Sequence, residues 1–179
     1  MVIFTSDHGD FLGDHQLLLK GPIHYEGLVR TPFIWKDPAM ARPRASAALM
    51  HAVDLAPTVL ARAGVAPYNG IQGKSLLPLI GGGEGQLRDE LLIEEEGQRT
   101  YLGFSGRVRM RSLVTARHRL SVYDGVGWGE LYDLTEDPHE TANLWDDAGA
   151  RKLRAELVER LARRMLAGSE TSPYPSALA

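Results

Sequence analysis

Val2-Ile3-Phe4 runs directly into Thr5-Ser6-Asp7-His8-Gly9-Asp10. A short apolar run that breaks off into small polar residues, a carboxylate, an imidazole and a glycine has the pattern of a buried parallel strand whose carboxyl end opens into a ligand site. Backbone that has left a strand no longer alternates its side chains between faces, so Asp7 and His8 can turn toward one cation. A carboxylate oxygen with an imidazole nitrogen suits a divalent ion of intermediate hardness and selects no single metal. Gly9 lets the backbone bend there without a Cβ penalty. The same pair also reads as a hydrogen-bonded loop pair, and its neighbours must decide between the two.

The chain that follows is an ordinary globular sequence. With 179 residues, 44% hydrophobic and 24% charged, it can bury one sizeable core or two small ones. A formal charge of −3 gives no case for a nucleic-acid partner, and no apolar run approaches the length of a membrane span. There are no cysteines, so disulfides and thiolate metal sites are excluded while the compartment stays open.

Taken in order, Leu17-Leu18-Leu19 is expected to pack the first loop onto the core. Phe33-Ile34-Trp35 reads as a second buried strand, with Pro32 near its start where a missing N–H is tolerated. Arg30 is placed to pair with Glu26. Residues 37–46, rich in Pro and Arg, read as a loop. Asp54 stands where it can cap a helix beginning at Leu55, with Pro57 in the first turn and Gly64 as the stop. Ser75 to Ile80 makes a helical turn or two before Gly81-Gly82-Gly83-Glu84-Gly85, a flexible connector. The boundary is set there, giving an α/β part over 1–85 and a second part over 86–179. Beyond it the apolar period changes to two in Leu91-Leu92-Ile93, Arg107 to Arg111, Arg119 to Tyr123 and Glu130 to Leu134, which suggests about four antiparallel strands. Arg107, Arg109 and Arg111 form either the wet face of that sheet or a row for an anionic ligand. Asp147 to Leu166 is an amphipathic helix with Leu153, Leu157, Leu161 and Met165 on one stripe and Glu156–Arg160 and Glu159–Arg163 pairs opposite. The tail with Pro173 and Pro175 reads as loose.

Read together, Thr5 to Asp10, Leu12-Gly13-Asp14-His15, Lys20-Gly21, Tyr25-Glu26 and Arg30-Thr31-Pro32-Phe33-Ile34 resemble the C-terminal half of the sulfatase family, within the alkaline-phosphatase-like superfamily. Val53 to Leu60 with Ala63-Gly64, Gly73-Lys74-Ser75-Leu76, Glu130 to Leu134 and Glu136-Asp137-Pro138-His139-Glu140 with Asn143-Leu144 continue the resemblance in family order. It implies an α/β fold, the C-terminal part of an alkaline-phosphatase-like domain, followed by a small α+β subdomain with a roughly four-stranded antiparallel sheet and a C-terminal helix. It further implies that Asp7 and His8 ligate a divalent metal, calcium or else manganese, magnesium or zinc, and that Lys20 contacts the sulfate or phosphoryl oxygens. A metal and an ammonium around a tetrahedral anion stabilise charge developing on its oxygens and leaving group. Asp10, Asp14, His15, His24 and Arg30 are candidates to orient those groups or face substrate, against a reading as loop, surface or structural residues. The expected substrate is a sulfate ester, with a phosphonate or phosphate ester as the alternative because His8 stands where many sulfatases carry Asn.

One feature of the family is missing. Its nucleophile is a formylglycine made from Cys or Ser in a Cys/Ser-x-Pro-x-Arg motif, and neither a cysteine nor such a serine occurs here. No rival site replaces it: Gly103-Phe104-Ser105-Gly106 is one residue short of a nucleophile elbow, and His139-Glu140-Thr141-Ala142-Asn143 lacks a second metal-binding histidine. The chain is therefore expected to be the C-terminal portion of a longer enzyme, with the formylglycine in the N-terminal part, and to be inactive alone. A non-catalytic module that forms homo-oligomers through an exposed sheet edge or truncated face is the competing expectation.

Overall fold

A computed structural model of the chain describes residues 1–39, 43–101, 103–170 and 172. Strands β1 (Val2–Thr5) and β2 (Phe33–Lys36) pair with each other, and the short helix α1 (Glu26–Val29) lies between them in sequence. After residue 43 come helix α2 (Leu55–Arg62) and the one-turn helix α3 (Leu77–Ile80). Strands β3 (Glu90–Thr100), β4 (Arg107–Thr115), β5 (His118–Tyr123) and β6 (Gly129–Asp133) then form an antiparallel meander, and helix α4 (Arg151–Ala167) closes the described chain. Residues 173–179, including the prolines of the tail, lie outside the described residues, as do 40–42 of the Pro/Arg-rich loop.

Other elements pack on each face of the four-stranded sheet. Leu113, Leu120 and Leu131, from three successive strands, are buried against Leu157 and Leu161 of α4. Each such apolar side chain contributes roughly 1.5–3 kcal/mol of transfer free energy. The helix stripe is as expected up to Met165, which stays 41% exposed. Opposite the stripe, Glu159 pairs with Arg163, but Arg160 pairs with Glu90 across the fold instead of with Glu156. A partner on a neighbouring strand displaces the i,i+4 partner, which only tertiary packing could decide. The arginine row is a wet face after all: Arg109 pairs with Glu96, and Arg111 with Glu94 and Glu96.

Two expectations for the N-terminal part need correction. The strand read as buried and parallel is antiparallel to β2, in register from Val2↔Lys36 to Thr5↔Phe33, and Val2, Phe4 and Ile34 are exposed. A short apolar run signals only that a strand wants covering; strand direction depends on its partner, and no described residue covers these side chains. Leu18 and Leu19 are exposed too, and Phe11, 4% exposed, packs the loop in their place.

Two of the quoted motifs lock into each other. Asp54 is fully buried, but its carboxylate does not cap α2. It accepts the N–H of His51 (2.8 Å) and that of Lys74 (2.8 Å), and pairs in bidentate fashion with Arg88. Burial pushes its pKa up, and Arg88 with the two backbone donors outweighs that and holds it below the ordinary range. Thr58 accepts the N–H of Leu76 at 2.9 Å. Gly73 must be glycine because a Cβ there would come within 1.9 Å of the Val53 carbonyl oxygen.

The other face of the sheet meets the N-terminal part through buried polar groups. His24 Nδ1 lies 2.9 Å from Ser112 Oγ, which lies 2.7 Å from Ser121 Oγ. Arg119 Nη1 donates to Ser121 Oγ at 2.7 Å. Arg119 is 1% exposed, pairs with Glu130 and Glu140, and sits between the rings of Tyr25 (5.1 Å) and Tyr132 (4.8 Å). Glu140 reaches back to accept the N–H of Glu26 at 2.7 Å. The turn from Asp137 to Leu144 presents it: Asp137 accepts from Thr141 and Ala142, while Asn143 pairs with both Leu131 N–H and Gly129 C=O on β6.

Two outcomes follow from these ion and hydrogen-bond pairs. Asp54→Ala leaves Arg88 as an uncompensated buried cation and should cost about 3–5 kcal/mol in urea unfolding, with Glu94→Ala on the wet face near neutral. Burial, and secondarily Arg119, lowers the pKa of His24 from 6.5 to about 4. The unfolded chain therefore takes up this proton first, and stability falls as pH drops from 6.5 toward 4, by roughly 2 kcal/mol between pH 7 and 5. Unfolding midpoints at those two pH values should converge in His24→Gln, whose amide oxygen can still accept from Ser112.

Candidate active site

Chain leaving β1 turns tightly on its own polar groups. Ser6 Oγ donates to the His8 carbonyl at 2.8 Å, and Asp7 Oδ1 accepts the His8 N–H at 3.0 Å. That backbone donor above all holds the Asp7 carboxyl below its ordinary range. Gly9 is required here for close approach: its N–H donates to the Leu28 carbonyl at 2.8 Å, and a Cβ would meet the Gly27 carbonyl oxygen at 2.0 Å. The turn is thereby pressed against α1.

The contacts of His8 select one tautomer. Its Nδ1 lies 2.7 Å from the Gly9 carbonyl oxygen, which can only accept, so Nδ1 carries the proton. Lys20 Nζ lies 2.7 Å from Nε2 and, as an ammonium, can only donate. Lys20 therefore occupies the Nε2 lone pair, and His8 can ligate an ion only once the ammonium moves off it. Asp7 Oδ2 lies 3.4 Å from that same Nε2. Two lone-pair donors at this separation fit adjacent ligand positions on an ion with bonds of about 2.0–2.4 Å. A backbone carbonyl that fixes the tautomer of a ligating histidine is the usual support for such a site. Asp7 and His8 fit a divalent ion in kind and spacing, but as a pair: among the described residues no cluster of three or more His, Asp or Glu side chains could hold one.

Lys20 arrives at the end of a strained loop. Leu12, His15, Gln16 and Leu19 all have φ between 50° and 62°, the left-handed region, at about 1–2 kcal/mol each for residues with a Cβ. The neck is closed by the Phe11 N–H donating to the Leu19 carbonyl at 2.8 Å, and Gly13 N–H to Leu17 at 2.8 Å lies within it. Backbone strain of this kind persists where surrounding structure over-determines it.

The remaining candidates separate. His15 stacks flat on Tyr25, ring centroids 3.7 Å apart, and Asp14 Oδ2 lies against Gly27. Asp10 is exposed on the loop. Arg30 pairs with Glu26 at 2.8 Å on the surface. His24 is buried against the sheet, hydrogen-bonded to Ser112. The structure therefore brings Asp7, His8 and Lys20 together, with the other five in the loop or in the scaffold behind it. Tyr25 carries no chemistry in the sequence pattern, yet it joins the loop to the sheet; a tyrosine within the family-like block was the available signal.

Comparison with known proteins bears on the chain as a whole. A family model described as N-sulphoglucosamine sulphohydrolase, C-terminal, matches residues 13–166. The "uncharacterized sulfatase YidJ" of Escherichia coli K12 is 30% identical over 160 residues, 89% of this chain and 31% of that protein. Among solved structures, the phosphonate monoester hydrolase of Agrobacterium radiobacter superposes with a TM-score of 0.84 at 27% identity, covering 99% of this chain and 37% of that one. BT4656, solved in complex with its substrate D-glucosamine-2-N,6-O-disulfate, does so with a TM-score of 0.76 at 27% identity, covering 98% and 36%. The chain spans about a third of the length of these relatives. Matched over most of its length by a sulfatase C-terminal model and carrying the corresponding part of the alkaline-phosphatase-like fold, the chain belongs to the sulfatase family.

Proposed function

We propose that this chain supplies the C-terminal share of the active site of a sulfuric ester hydrolase. The observation that carries the reading is the convergence of Asp7 Oδ2, His8 Nε2 and Lys20 Nζ within hydrogen-bonding or ligand-sharing distance at the end of β1. Asp7 and His8 would hold the divalent ion once Lys20 releases Nε2, and that ion would polarise an ester oxygen and offset developing negative charge. Lys20 places a compact cation beside it, suited to a sulfate oxygen through any of its three donors. Residues 1–85 provide these groups, and residues 86–179 support them from behind.

The nucleophile comes from outside these 179 residues, as a formylglycine, because no cysteine and no Ser-x-Pro-x-Arg segment is present. The chain alone turns over neither ester. Similarity to the Agrobacterium radiobacter phosphonate monoester hydrolase, together with a histidine at position 8, favours a phosphonate ester as the second reading.

Manganese titration of the full chain, followed by paramagnetic broadening of the Gly9 amide resonance, which both variants retain, tests the site. Binding should be weak, with a dissociation constant on the order of 10⁻⁴–10⁻³ M, since two protein ligands fall short of the six or more a hard cation prefers. It should vanish in Asp7→Asn and in His8→Ala. Broadening that survives both substitutions contradicts the assignment. Displacement of the His8 signal by sulfate at lower concentration than by methylphosphonate supports the sulfuric ester, and the reverse order the phosphonate. Release of 4-nitrophenol from 4-nitrophenyl sulfate that disappears in Lys20→Ala would contradict the claim that the chain is inert alone.

A further inference from the structure

We propose that Arg119 and Tyr25 are positioning residues for the active-site lysine, transmitting the register of the C-terminal sheet to the loop that ends in Lys20. The inference rests on the reading of Lys20 given above and names what holds it in place.

A continuous set of contacts links the two. Arg119 projects from β5 into the seam between the sheet and the N-terminal part, where Glu130, Glu140 and Ser121 fix three of its donor contacts. So fixed, its guanidinium lies over the Tyr25 ring, and Tyr132 meets the same ring edge-on at 6.0 Å. Tyr25 in turn makes two contacts with the lysine loop. Its ring is stacked on His15 with only 5° between planes, and Phe11 meets it edge-on at 6.1 Å. Phe11 closes the loop neck through its hydrogen bond to Leu19, the residue before Lys20.

The loop requires such a hold. Four of its non-glycine residues are left-handed and its leucines 12, 18 and 19 are exposed, so local preference works against its shape and burial holds it at Phe11, the residue that packs on Tyr25. Phe11 and His15 are the residues by which it touches aromatic structure, and both touch Tyr25. Tyr25 is itself anchored on the sheet side, since the next residue's N–H is held by Glu140, the same carboxylate that pairs with Arg119. One buried ion pair therefore sets both the backbone and the ring of the segment against which the loop is folded. The charged and titratable groups facing the ring are Arg119, Glu130 and Tyr132 from the sheet, with His15 on the loop side.

Long-range ¹H–¹⁵N NMR of the histidine rings in the full chain tests this. Lys20→Ala sets the scale, since it removes the donor to His8 Nε2 and should move that nitrogen's resonance. Tyr25→Ala and Arg119→Met should each reproduce most of the displacement, while Tyr25→Phe and His15→Phe, which keep the stacked ring, should leave His8 near its wild-type position. Methyl resonances of Leu113, Leu120 and Leu131 report whether the sheet–helix core survives. Should Arg119→Met disturb them, Tyr25→Ala, which retains the Arg119 ion pairs, decides the question. A His8 resonance unmoved in Tyr25→Ala overturns the proposal, as does one unmoved in Lys20→Ala. Equal displacement in Tyr25→Phe and Tyr25→Ala also overturns it. Manganese broadening is read separately: its loss from the wild type refutes the metal assignment and leaves the positioning result standing.

Discussion

A guanidinium that is 1% exposed is expensive to bury, and the Arg119 side chain is tolerated because so much surrounds it. Two carboxylates, a serine hydroxyl and two tyrosine faces share its charge. Burial works against the charged form, and Glu130 and Glu140 overcome it. The carboxylates are held in turn, Glu130 by the hydroxyls of Tyr123 and Tyr132, Glu140 by the Glu26 N–H. An ion pair of this kind adds little net stability over an apolar filling, but removal of one partner leaves the other stranded. Its effect is to specify which faces meet. Arg119 thereby fixes how the N-terminal segment sits on the sheet.

Asp54 does the same at a second point. It joins the turn before α2 to the Gly73–Leu76 segment and to Arg88, just before β3. His51 adds a contact from its ring to the Leu92 carbonyl. Thus the glycine-rich stretch that reads as a flexible connector is spanned on both sides by buried polar contacts. The Asp7–His8–Lys20 group, by contrast, is exposed and makes mostly local bonds, so its geometry depends on the firmness of what lies behind it.

What the sequence reveals divides by range. The meander, helix α4 and the stop at Gly64 were legible because they rest on local periodicity and on residues with restricted backbone, and Gly64 indeed has φ of 71°. The proximity of Asp7, His8 and Lys20 was legible only through family resemblance, since the eleven residues between His8 and Lys20, with their left-handed turns, follow no local rule. Where a residue chooses among distant partners, pattern misleads. Asp54 looks like a helix cap until Lys74 and Arg88 are adjacent, Arg160 looks like a partner of Glu156 until Glu90 is nearby, and Arg119 looks like one more polar position on a strand.

Native-state hydrogen exchange measures most directly whether the buried seam makes one unit of the two parts. If it does, the Glu26 amide, which donates to Glu140, and the Lys74 amide, which donates to Asp54, should open with the same free energy as the amides of β5 and fall with them in Arg119→Met. Glu26 and Lys74 amides that exchange orders of magnitude faster than β5, and stay unchanged in that variant, would show that the N-terminal part opens on its own and contradict the account.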